Sequence, residues 1–95
     1  MAGYVILLKM TAEGKQHINE MPEALEDVKE QMAEKDIRLV GTWLTMGQYD
    51  AIAIYDAPDD QALAAEILSW KWYQTETLRA FSEEEFGEIL EMMSD

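Results

Sequence analysis

The stretch Ile37-Arg-Leu-Val-Gly-Thr-Trp-Leu-Thr-Met-Gly-Gln-Tyr-Asp-Ala-Ile-Ala-Ile-Tyr55 decides the fold. Two runs rich in β-branched and aromatic residues flank Met46-Gly47-Gln48, and a glycine at the tip of such a pair marks a β-hairpin. The expected strands are 37–45 and 49–55. Before the hairpin, Tyr4-Val-Ile-Leu-Leu-Lys-Met10 reads as a strand, punctuated by Thr11 and Gly14. Ile18, Met21, Leu25, Val28 and Met32 then recur at steps of three and four, the spacing of a helix with one buried face. Pro22 interrupts that stripe and predicts a kink or two abutting helices. After the hairpin, Pro58-Asp-Asp60 signals a helix start, with Leu63, Ile67 and Leu68 as its buried stripe and an end near Trp70. Trp72–Phe81 is a fourth strand. Ser82-Glu-Glu-Glu85 has the spacing of a capping box, opening a last helix with Phe86, Ile89, Leu90 and Met93 inward.

The order β-α-β-β-α-β-α, two βαβ-like halves around one hairpin, predicts an α+β, ferredoxin-like fold with a four-stranded antiparallel sheet in the order 4-1-3-2. Strands 4–10 and 49–55 are the most apolar, as central strands with two covered faces should be. The two main helices cover one face only. The other carries about half a dozen large apolar side chains, each worth roughly 1.5–3 kcal/mol when buried. A second copy, sheet against sheet, is the economical cover, so a homodimer or higher homo-oligomer is expected.

Composition narrows function by exclusion. The 95 residues are expected to form a single domain, and 48% of them are hydrophobic, which suits a globular chain. Twenty acids against seven bases give a net charge of −13, which repels phosphate backbones and anionic membranes; neither nucleic acid nor membrane is an expected partner. The longest apolar run, Tyr4–Leu8, is far too short to span a bilayer. The chain has no cysteine, and its start shows no basic, apolar signal segment, so a cytoplasmic setting is expected. With His17 the single histidine, the usual metal sites are disfavoured, and no metal or other cofactor is expected.

Several residues carry candidate chemistry. Tyr49 and Asp50 place a phenol and a carboxylate at a strand start, suited to donate a hydrogen bond and act as general base. The plainer reading has Asp50 accepting from turn N–H groups, or from Arg79 or Arg38, with Tyr49 a half-buried strand aromatic. His17 is the single imidazole available for proton transfer near neutral pH, unless it is simply a satisfied helix residue. On the fourth strand Tyr73, Thr75 and Thr77 share one face and Gln74 and Glu76 the other. Glu76 is then a functional carboxylate or the partner of an arginine across a dimer. Trp43, Tyr49 and Tyr73 are the candidate ligand-binding residues, within an aromatic set that also includes Tyr55, Trp70 and Trp72; packing in core and interface is the alternative use. The acidic tail from Ser82 reads as a solvated helix face. Two functions follow: a homodimeric small-molecule-binding protein, with or without a metal-free enzymatic reaction on an apolar or aromatic ligand, or a non-catalytic assembly or interaction protein.

Four pieces together resemble the GYD domain proteins, small bacterial and archaeal members of the dimeric α/β barrel superfamily. They are Tyr4-Val-Ile-Leu-Leu-Lys-Met-Thr11 with Gly14; Leu44-Thr-Met-Gly-Gln-Tyr-Asp50; Ala57-Pro-Asp-Asp60; and Thr75-Glu-Thr-Leu-Arg-Ala-Phe-Ser82. The motif that names the family stands here as Gly47-Gln48-Tyr49-Asp50. The chain departs from the pattern at Ser69-Trp-Lys-Trp-Tyr73, where the family is more often small and glycine-containing. The resemblance implies the ferredoxin-like fold and the dimer, and no settled activity. Superfamily relatives include cofactor-independent monooxygenases, isomerases, dehydratases, haem-degrading enzymes and ligand-sensing domains, so fold alone does not choose among them.

Overall fold

The structure is a computed structural model, described here for residues 1–94. Its strands are β1 (Ala2–Met10), β2 (Arg38–Leu44), β3 (Ala51–Ala57) and β4 (Tyr73–Ala80). Its helices are α1 (Ala12–Gln16), α2 (Met21–Glu34), α3 (Asp60–Ile67) and α4 (Glu83–Met93), with a 3-10 turn at Ile18–Glu20 between the first two. The strands form one antiparallel sheet in the order β2-β3-β1-β4, so the two most apolar strands are central, as their composition requires. Pro22 falls in the first turn of α2, where its missing N–H costs nothing, and the interruption becomes a boundary between α1, the 3-10 turn and α2.

One face of the sheet is covered. Tyr4, Ile6 and Leu8 of β1 and Ala51, Ala53, Tyr55 and Ala57 of β3 are buried with Met32 of α2, Leu63 of α3 and Ile37. The intervening residues Val5, Leu7, Ile52 and Ile54 face the other way and are only half-buried. Trp43 and Leu78, on the edge strands of that same open face, are 52% and 46% exposed. The clean alternation along β3 is that of a half-covered strand; the expectation of two covered faces is not met within one chain.

Helix caps follow local sequence. The Asp59 Oδ1 accepts from the Ala62 N–H at 2.8 Å, capping α3 one residue past Pro58 and starting the helix at Asp60. Ser82 and Glu85 make the reciprocal capping box of α4. Three sequence expectations are corrected. The hairpin turn is longer than Met46–Gln48, because β2 ends at Leu44 and β3 begins only at Ala51. Leu68 lies past the end of α3 and is fully solvated, while Glu66 takes the inward position beside Leu63. Finally, α4 does not turn its stripe inward: Phe86 is 56% and Leu90 47% exposed, Met93 is more exposed still, and the helix makes at most glancing contact with the rest of the chain. The radius of gyration, 15.0 Å, exceeds the roughly 12 Å of a compact chain this long, and the extents of 55 × 32 × 18 Å are those of an elongated molecule.

Candidate functional site

Small residues make the site. Ala51 and Ala53 occupy the covered face of β3 where larger side chains would meet α2, and the space they leave is a groove of about 700 Å³ between sheet and helix. Leu25 and Val28 of α2 are only half-buried because the groove separates them from the sheet. Leu8, Met10, Met21 and Ile18 complete its apolar lining, and Trp70, Trp72 and Tyr73 close one end. The Tyr73 hydroxyl reaches the Met21 Sδ at 3.0 Å, tying β4 to the first turn of α2 across that end.

Polar groups enter at two places. The first is Asp50. Its N–H donates to the Leu8 carbonyl at 2.8 Å, and its Oδ2 accepts from the Met10 N–H at 2.7 Å. Met10 is the ladder partner of Tyr73, so one β1 residue sets carboxylate and phenol at the same end of the groove. Neither arginine named as a partner is used: Arg79 pairs with Glu85 and Arg38 with Asp56. The second place is the floor, where Tyr55 is buried and its ring lies 6.4 Å from that of Trp70. Burial pushes the Tyr55 phenol well up, helped by the negative charge of Glu66. The Tyr73 phenol is raised by burial and by the Asp50 carboxylate. Both therefore stay protonated across the physiological range and act as neutral hydrogen-bond donors.

Glu66 supports the floor from behind and was missed as a functional candidate. Its carboxylate is 1% exposed, accepts from Lys35 Nζ at 3.1 Å and from Trp70 Nε1 at 3.3 Å, and so orients the indole at the end of the groove. A signal existed: Leu63, Glu66 and Ile67 share the spacing of one helix face, which places an acid in the buried stripe.

The other sequence candidates are dispersed. The Tyr49 hydroxyl donates to Glu76, which stands on the open sheet face opposite Leu7; this bond raises the Tyr49 phenol. The pair is away from the groove. Glu76 meets a tyrosine of its own chain and no arginine there. His17 is at the rim, its ring stacked on Trp72 at 5.0 Å and nearly parallel, with Nδ1 against Glu20. Trp43 touches the groove edge, but its ring lies over Gly41 on the open face: a methyl group on Gly41 would come within 2.5 Å of it. Of the six candidates, then, Asp50 and Tyr73 are brought together in the groove, Trp43 is at its edge, His17 reaches it only through Trp72, and Tyr49 and Glu76 form a separate pair. Among the described residues, no three acidic or histidine side chains are grouped as a metal site, and no helix is long and apolar enough to cross a membrane.

A four-stranded antiparallel sheet with helices on one face and a groove beneath α2 defines an α+β, ferredoxin-like protein. The chain belongs to the GYD domain family, which it matches over residues 4–90. It is similar in structure to TTHA0845 from Thermus thermophilus (TM-score 0.53, 24% identity, covering 86% of this chain and 95% of that one). It is also similar to FFRP-DM1 (TM-score 0.57, 19% identity, 85% of this chain and 100% of that one). At these identities the likeness concerns the fold. No curated protein matches the chain.

Proposed function

We propose that the protein is a homodimeric small-molecule-binding protein that takes an apolar or aromatic ligand in the groove beneath α2. The observation that carries this reading is the groove itself. Its volume lies within the roughly 300–1,000 Å³ of small-molecule sites, and its lining is apolar with a few convergent polar groups. Asp50 and the two neutral phenols would orient the ligand. If a reaction occurs there, Asp50 is the base and Tyr55 or Tyr73 the hydrogen-bond donor, a set suited to moving a proton without a metal. His17, beside the rim on Trp72, would act on a ligand that projects past the tryptophan.

The dimer is supported by the open sheet face. Val5, Leu7, Ile52, Ile54, Trp43 and Leu78 form a half-exposed apolar surface that no described element covers. Burying the rest would contribute on the order of several kcal/mol. The competing reading, a non-catalytic assembly protein, draws on α4, whose apolar stripe of Phe86, Leu90 and Met93 also lacks a cover within the chain.

Native mass spectrometry of protein purified from its source cells tests both. The expected result is a dimer carrying one small organic molecule per chain, released and identified on denaturation. A larger closed oligomer without any bound molecule, in a protein whose tryptophan fluorescence responds to no aromatic probe, would favour assembly.

A further inference from the structure

The ligand's charge can be argued from the groove. We propose that the site selects organic cations, an alkylated ammonium or protonated amine on an apolar or aromatic body, with Asp50 as the counter-charge and the rings of Tyr55, Trp70, Trp72 and Tyr73 as the walls. This rests on the reading of the groove as a small-molecule site.

Asp50 has capacity to spare. A carboxylate offers about four acceptor positions, and this one receives the Met10 N–H at 2.7 Å, with no lysine, arginine or histidine in ion-pair contact among the described residues. Elsewhere the buried acid among the described residues, Glu66, is matched by Lys35 and an indole N–H. The contrast matters because a half-buried carboxylate in an apolar wall loses hydration that a bound cation replaces. Four aromatic rings line the same space, and the negative faces of such rings attract cations, most of all quaternary ammonium groups. Tyr55 and Tyr73 stay protonated, so the charge of the lining is set by Asp27, Asp50 and Lys71.

The remaining charges agree. Asp27 also lines the groove, and Lys71, on the exposed segment after Trp70, is the single base in its lining among the described residues. A carboxylate or phosphate ligand would meet Asp50 with no arginine to receive it, and a chain of net charge −13 repels anions on approach while drawing cations in.

The test compares three probes by tryptophan fluorescence titration on the full chain: benzyltrimethylammonium, its uncharged carbon isostere neopentylbenzene, and phenylacetate. The expected result is that the cation binds about tenfold or more tightly than its isostere and that phenylacetate does not bind. Asp50→Asn keeps an oxygen to accept the Met10 N–H while removing the charge, and should bring cation and isostere within about twofold of each other. Asp50→Glu, which keeps the charge, should retain the preference and serves if the asparagine variant fails to fold. Equal or tighter binding of the isostere by the unmodified protein, or a cation preference that survives Asp50→Asn, overturns the cation proposal while leaving the small-molecule reading intact. Saturable binding of none of the probes overturns both.

Discussion

Gly14 has no room for a methyl group. A Cβ there would stand 2.3 Å from the Trp72 carbonyl oxygen, a backbone atom that cannot swing aside because it already accepts the Thr11 N–H at 2.8 Å. α1 is thereby pressed onto the segment that carries Trp70 and Trp72, and the rim of the groove is built on that contact. Gly14→Ala should destabilise the fold by about 2–3 kcal/mol, read as a lowered urea midpoint at unchanged slope. Stability within about 0.5 kcal/mol of the parent would mean that the Trp72 backbone is free to move and that the groove has no fixed rim. Gly14 stood out in the sequence as punctuation after β1, but its reason did not, because the atom it must avoid is 58 positions along the chain. Asp50 is similar: an aspartate at the end of a hairpin predicts hydrogen bonds to its own turn, whereas the N–H that it accepts belongs to Met10 on a third strand. Local rules see the residue type and its neighbours in sequence; they do not see which strand will lie alongside.

Elements were legible where their signals are local. The capping box of α4 is an example, with Ser82 Oγ accepting the Glu85 N–H at 3.1 Å and Glu85 Oε1 accepting the Ser82 N–H at 3.0 Å. The order of strands was legible too, since the distribution of apolar residues between strands sorts centre from edge. The surroundings of α4 were not: Phe86, Leu90 and Met93 lie on one side as expected, but an amphipathic pattern specifies that a face will be covered and not by what. The cap gives this helix a pH response. The Ser82 N–H holds the Glu85 carboxyl below its ordinary value of 4.5, with lesser help from the Ser82 side chain and Arg79. A lowered folded value means that the stabilisation is complete above about pH 4.5 and is lost as the pH falls through the folded value. Amide exchange at Phe86 and Gly87 should therefore be slower in the parent than in Glu85→Gln near neutrality, and the two should converge in acid. A constant difference between them down to the lowest pH would show that the carboxylate is not what caps α4.

At the scale of the whole molecule, the two apolar surfaces that one chain leaves open lie on different parts of an elongated body, the sheet face and the stripe of α4. A chain with this much negative charge would repel its own copy unless apolar contact outweighed it, so the sheet face is the place to test assembly. Leu7 is at its centre, on a central strand between Ile52 and Glu76 in the ladder. In a symmetric pair of sheets, Leu7→Glu would bring two added carboxylates to the same buried patch beside Glu76, more acid than Lys9, two positions along the same face of β1, can receive, a penalty of several kcal/mol against association. Within a single chain the side chain is already half-exposed, so the fold itself should tolerate the change. Light scattering after gel filtration should then report a dimer for the parent and a monomer with intact far-ultraviolet circular dichroism for the variant. Leu68→Glu, on a fully solvated position past α3, adds the same charge elsewhere and should remain dimeric. If Leu7→Glu and Leu68→Glu assemble alike, charge alone is not decisive and the sheet face is not the interface; the stripe of α4 then becomes the surface that a second copy must cover.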